Sequence, residues 1–132
     1  MSGSLDKVDA ITMFIDDVAR SKNFYSTLFA REPVYEDDNA VAFQLENIIV
    51  NLLRVPDAAR ELIEPAEVGA RDAGARFVLT LPVENVDEAV GMLRNFGIEL
   101  LNGPMDRPWG IRTASFQDPD GHIWELAHNL SG

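Results

Sequence analysis

The chain has 132 residues, 46% of them apolar, with 11 Lys and Arg against 22 Asp and Glu and no cysteine. That size suits one domain with its own core, and the lack of cysteine excludes disulfides, thiolate metal sites and thiol nucleophiles together. A net charge of −11 repels phosphate backbones and argues against nucleic acid as a partner, and no apolar run nears the roughly 18 residues of a membrane span.

Met1-Ser2-Gly3-Ser4 lacks the basic and apolar parts of a signal peptide, so a cytoplasmic location is expected. Ala10-Ile11-Thr12-Met13-Phe14-Ile15 reads as a strand. Asp16-Asp17 follows, then a helix from about Val18 to Phe29 with Val18, Ser21, Phe24, Tyr25 and Leu28 on one face. A weakly marked strand at Glu32 to Tyr35, after it a hairpin of Ala42-Phe43-Gln44 with Ile48 to Leu53, completes a β-α-β-β-β module. Pro56 to Gly74 has no sustained periodicity and reads as a linker, with one short helical turn around Ala58 to Ile63.

The same layout begins again at Val78-Leu79-Thr80-Leu81-Pro82-Val83. Glu84-Asn85 precedes a helix from about Val86 to Phe96, with Val86, Ala89, Val90, Leu93 and Phe96 on one face. A weak strand at Glu99 to Leu101 leads into a polar loop, Asn102 to Pro108, and then Trp109-Gly110. Ser115-Phe116-Gln117 with Ile123 to Ala127 forms the second hairpin across the turn Asp118-Pro119-Asp120-Gly121.

The expected fold class is α+β. One domain, residues 1–132, holds two tandem βαβββ modules at about 9–54 and 76–130, joined by the linker 55–75. Curved mixed sheets enclose a cavity, with the helices on their outer faces. Alternation sends Ile11, Met13 and Ile15 under the first helix and Ala10, Thr12 and Phe14 the other way. It likewise separates Leu79, Leu81 and Val83 from Val78, Thr80 and Pro82.

Paired modules ending in Asp-Pro-Asp-Gly-x-x-x-Glu resemble the vicinal oxygen chelate superfamily, which includes glyoxalase I, extradiol dioxygenases, fosfomycin resistance enzymes and bleomycin-binding resistance proteins. The resemblance runs from about Asp9 to His128. It implies the fold, but its members include metal enzymes of several reaction types and metal-free binding proteins. The ligand positions of its metal enzymes fall here on Ala10, Asn51, Val78 and Glu125. Only Glu125 matches, and a divalent metal needs three or four protein donors. No metal and no cofactor is therefore expected. His122 lies in the turn, and His128 stands an odd number of residues from Glu125, on the other face of its strand.

Glu125 is expected to need a cationic partner or a ligand. Arg112 is the candidate partner if the turn sets Ala114 opposite Glu125, a register that a one-residue slip would overturn. Trp109 could stack on a planar ligand or act as a lid. In metal-free resistance proteins of the resembled family, a Pro-Trp-Gly segment lies near the drug-binding groove. Phe14 and Phe43 are expected to line the same concavity, with plain core as the alternative, and Trp124 to pack under the helix. No serine has a triad arrangement, and Gly69 to Gly74 lacks the spacing of a phosphate loop.

The expected function is metal-independent binding of a small molecule, cationic and aromatic, such as an antibiotic. The ligand-binding set is Thr12, Phe14, Phe43, Asn51, Thr80, Trp109, Arg112 and Glu125, and no catalytic residue is assigned. The alternative is a metal-dependent lyase, isomerase or dioxygenase, which needs the ligands missing at Ala10 and Val78. A metal-free enzyme or a partner-regulating module is the third reading. The resemblance also implies a homodimer.

Overall fold

The computed structural model describes residues 5–131. The chain divides inside the expected linker into two compact units, residues 1–69 and 70–132. The first holds β1 (Ala10–Ile15), α1 (Val18–Phe29), β2 (Tyr35–Glu36), β3 (Ala40–Gln44), β4 (Ile49–Arg54) and α2 (Asp57–Ile63). The second holds β5 (Val78–Pro82), α3 (Val86–Asn95), β6 (Leu100–Asp106), β7 (Ile111–Gln117) and β8 (Ile123–Asn129). Each unit is a four-stranded mixed sheet, in the orders β1-β4-β3-β2 and β5-β8-β7-β6. In both, the first strand runs parallel to the last, and the remaining pairs are antiparallel. No helix among the described residues is long and apolar enough to cross a membrane.

Local chemistry starts both crossover helices. The Asp17 carboxylate accepts from Arg20 N–H at 3.0 Å, and Asn85 Oδ1 accepts from Glu88 N–H at 3.0 Å. Each such cap is worth about 1 kcal/mol. The acidic pair Asp16-Asp17 is thus partly a helix start. In the acidic run Glu36-Asp37-Asp38, Asp37 Oδ1 accepts from the backbone N–H groups of Asn39 and Ala40, both at 2.8 Å, and Glu36 pairs with Lys22 at 2.8 Å. Tyr35 donates its hydroxyl to Asp37 as well.

The cores form under the helices. In the first unit Met13, Ile15, Val41, Val50 and Leu52 are fully buried with Tyr25. In the second, Val86, Val90 and Leu93 cover Ala114, Phe116, Trp124 and Leu126. Each large apolar side chain buried this way contributes about 1.5–3 kcal/mol. The last strand's helix side also carries His128, whose Nδ1 accepts from the Val86 N–H at 2.9 Å and satisfies one orphan donor at the start of α3.

Two strands depart from the sequence expectation. The second strand is Tyr35–Glu36 rather than Glu32 to Tyr35, because the Asp37 turn sets the pairing Tyr35↔Ala42 and Glu36↔Val41. Pro33, two residues earlier, cannot donate to a ladder. The expected loop at Asn102 to Pro108 is largely strand, since β6 continues to Asp106 through register shifts between Leu100 and Asn102 and between Asn102 and Met105. An edge strand tolerates such bulges and the proline within them.

The bulge depends on Gly103. Its φ is +86°, and a Cβ there would stand 2.6 Å from the Thr113 carbonyl oxygen and 2.8 Å from Ala114 Cα. Both objections are to backbone, which cannot rotate away. Gly103→Ala is expected to lower stability by about 1–3 kcal/mol, read as a lower urea midpoint with an unchanged slope.

Candidate functional site

Each helix covers one side of its sheet, so the opposite side of the second unit can be assembled from the pairing register. Thr80 lies beside Glu125, Glu125 opposite Ser115, and Ser115 opposite Asn102. These four residues form one polar row across β5, β8, β7 and β6 on the helix-free side. A more apolar row lies next to it: Pro82, Ala127, Thr113 and Met105. On the far side Val78 neighbours Ile123, which pairs with Gln117.

The row is joined by hydrogen bonds at both ends. Thr80 Oγ1 donates to Glu125 Oε1 at 2.9 Å. At the other end Arg107 reaches back over the hairpin. Its Nε donates to Thr113 Oγ1 at 2.9 Å and its Nη2 donates to Asn102 Oδ1 at 3.1 Å. Thr113 is fully buried, whereas Glu125 and Arg107 are half-buried. Neither has an oppositely charged partner within ion-pair distance among the described residues.

The first unit repeats the lattice with different chemistry. Thr12 lies beside Asn51, Asn51 opposite Ala42 and Ala42 opposite Tyr35. Asn51 Nδ2 donates to Thr12 Oγ1 at 3.4 Å, so an amide occupies the place of the carboxylate. Phe14 is on the same side as Thr12, beside Leu53.

Two expected site residues belong elsewhere. Phe43 is fully buried under α1, its ring 6.4 Å from Tyr25 and 5.7 Å from Phe29. It pairs with Val50, and both point to the helix. Arg112 is not the partner of Glu125. The loop closed by Asp118 N–H to the His122 carbonyl makes Gln117 face Ile123, which sets Ser115, not Ala114, opposite Glu125. Arg112 is thereby on the helix side, where it bonds Asp87 at 2.9 and 3.0 Å and Asp106 at 2.8 Å. Those two carboxylates push its guanidinium further above its ordinary pKa. In return its hydrogen bonds hold Asp87 below the usual carboxylate value.

Trp109 forms the tip of the β6–β7 hairpin and is 67% exposed. The turn is closed by Arg107 N–H to the Ile111 carbonyl at 2.7 Å, and Leu130 N–H bonds the Gly110 carbonyl at 3.0 Å. Ser115, Asn102, Thr113 and Arg107 were not singled out from the sequence. Ser115 and Thr113 take their side from the loop length between β7 and β8, and Asn102 and Arg107 are brought to it by the bulged pairing of β6 with β7.

The family positions for metal ligands can now be tested as donors. Ala10 and Val78 have no donor atom and lie beside Ile49 and Ile123. Asn51 is a neutral amide engaged with Thr12, and Glu125 is the one carboxylate. Among the described residues, no three His, Asp or Glu side chains come together as a metal cluster. Such donors do not fit a divalent ion.

Comparison with known proteins agrees with this architecture. A family profile described as a glyoxalase-like domain matches residues 8–131. The metallothiol transferase FosB of Staphylococcus saprophyticus is 23% identical over 122 residues, covering 92% of this chain and 76% of its own length. A glyoxalase-related enzyme from Fulvimarina pelagi superposes with a TM-score of 0.81 at 29% identity, over 95% of this chain and 89% of that one. A glyoxalase/bleomycin resistance protein/dioxygenase from Nocardioides gives 0.85 at 23% identity, over 98% and 87%.

The Arg112 pairing makes a pH prediction. Because the folded state holds the Asp87 pKa below 3.8, its contribution is present above that ordinary value and is lost as pH falls through the depressed one. Asp87→Asn should lower the denaturant midpoint at pH 7. It should also flatten the decline in stability below about pH 4, measured by unfolding at pH 7, 4 and 3.

Proposed function

Since the chain belongs to the glyoxalase-like domain family, we propose that it is a metal-independent binder of small cationic, aromatic molecules, antibiotics among them. The observation that carries this reading is Glu125. It is a half-buried carboxylate whose one hydrogen-bond partner among the described residues is the neutral Thr80 hydroxyl. A structural ion pair would have neutralised it, and the arginine suited to that role is tied to Asp87 and Asp106 instead.

Thr80 occupies Oε1 and leaves Oε2 for a ligand ammonium or hydroxyl. Thr12, Phe14 and Asn51 stand at the equivalent places of the first unit's own sheet, and Trp109 supplies an exposed ring for stacking. The net charge of −11 favours a cation at long range. One stacked ring, a charged contact and apolar burial together suffice for a micromolar Kd, about −8.2 kcal/mol.

The reading is tested by titrating the protein with a cationic glycopeptide of the bleomycin type while following tryptophan fluorescence. Trp124 is buried beneath α3, so the response is expected from Trp109 and should vanish in Trp109→Phe. Glu125→Gln should weaken binding about ten- to a hundredfold, the worth of a hydrogen bond to a charged group. An unchanged signal at millimolar ligand overturns the proposal. The likeness to a metallothiol transferase makes metal content the second measurement. Protein purified without chelator should carry well under one equivalent, and stoichiometric Ni, Zn, Fe or Mn would restore the metalloenzyme reading.

A further inference from the structure

The β6–β7 hairpin carries two arginines in opposite conditions. Arg112 is neutralised by two carboxylates on the helix side. Arg107 is half-buried on the other side and meets no carboxylate among the described residues, in a chain with 22 acidic side chains. Its partners are neutral oxygens, and they take a particular edge of the guanidinium. Nε goes to the buried Thr113 hydroxyl and one Nη2 hydrogen to the Asn102 amide oxygen. That arrangement fixes the plane of the group without discharging it. The end of the fork remains, with both Nη1 hydrogens and the second Nη2 hydrogen. Two parallel N–H donors in that geometry match a carboxylate.

Glu125 is in the mirror situation on the same face. It is oriented by Thr80 and discharged by nothing among the described residues. Asn102 and Glu125 belong to one row, separated by the single strand that carries Ser115. Two strand spacings of about 4.8 Å therefore lie between the carboxylate's strand and the strand holding the arginine's anchor. Two opposite charges share this face without joining each other, each with one edge committed to a neutral partner and one edge open.

We propose that Arg107 is an anion-binding residue, so that the face selects amphoteric small molecules: the fork end takes a ligand carboxylate while Glu125 takes the same ligand's ammonium group. Asn102 and Thr113 are positioning residues that hold the guanidinium plane. The proposal rests on the reading of Glu125 as a ligand anchor and adds the second pole. It also sharpens the ligand class, since a purely cationic molecule would leave Arg107 with a desolvation cost and no return.

Three probes separate the two claims. 4-(Aminomethyl)benzoate carries both charges on one ring, benzylamine lacks the carboxylate, and benzoate lacks the ammonium. Their affinities for the intact chain are measured by calorimetry or by amide shift changes in NMR spectra. The amphoteric probe should bind at least about tenfold more tightly than benzylamine, the scale of a charge-assisted bidentate contact. Arg107→Gln should erase that advantage and leave the benzylamine affinity unchanged. Arg107→Lys keeps the charge without the fork and should recover only part of it. Asn102→Ala should reduce the advantage without touching benzylamine. Glu125→Gln should weaken benzylamine and the amphoteric probe alike.

If the carboxylate brings no advantage in the natural chain, or if Arg107→Gln leaves the advantage intact, the Arg107 inference fails while Glu125 stands. If benzylamine is indifferent to Glu125→Gln, the underlying reading fails as well. Should no probe bind at 10 mM, a ceiling of about 2.7 kcal/mol, both are overturned. Urea unfolding of each variant confirms that a lost affinity is not a lost fold.

Discussion

The parallel pairing of first and last strand in each unit is the constraint on which the rest depends. A parallel pair cannot be closed by a tight turn and needs a crossover, here α1 and α3. The crossover helix lies over one side of the sheet and buries it. The period of two along every strand then sorts the remaining side chains onto the side the helix does not cover. With β5 in register against β8, Thr80 arrives beside Glu125. With β7 and β6 following, Ser115 and Asn102 extend the same line.

The electrostatics of that hairpin show how the fold uses its few cations. Arg112 crosses from β7 to the start of α3 and to β6, binding Asp87 and Asp106, so it ties three elements of the second unit together. Such a group stabilises and is unavailable to a ligand. Arg107, five residues earlier in the chain, is held by an amide and a hydroxyl. Neutral partners orient the guanidinium without discharging it.

The two units share a lattice and differ in what stands on it. Thr12, Asn51, Ala42 and Tyr35 occupy in one sheet the places that Thr80, Glu125, Ser115 and Asn102 occupy in the other. Both threonines bond their neighbour on the last strand. The Glu125 carboxylate and the arginine held by neutral oxygens are both in the second unit. Their counterparts in the first sheet are an amide and small or aromatic groups. A repeat can preserve pairing while each copy drifts in function, because the ladder is backbone and tolerates any side chain on the free side.

Much was legible in the amino-acid sequence because it is local. Capping residues at Asp17 and Asn85, helical spacing after each and alternation in β1 and β5 place both helices and the inward sides of both first strands. Thr12, Phe14 and Thr80 follow from that alternation alone. The faces of β6 and β7 did not follow, since they depend on loop lengths and bulges set by long-range pairing. One residue in the Asp118–His122 loop moves Arg112 from beside Glu125 to the helix side, and the bulges around Gly103 turn an apparent loop into the strand that delivers Asn102. What the sequence by itself determined is the repeated module and the one carboxylate, Glu125, on the side of its last strand away from Trp124, because caps and periodicity are properties of neighbouring residues. Only the tertiary structure decided which arginine is tied up and which is open, because a one-residue change of register reverses every side chain on a strand.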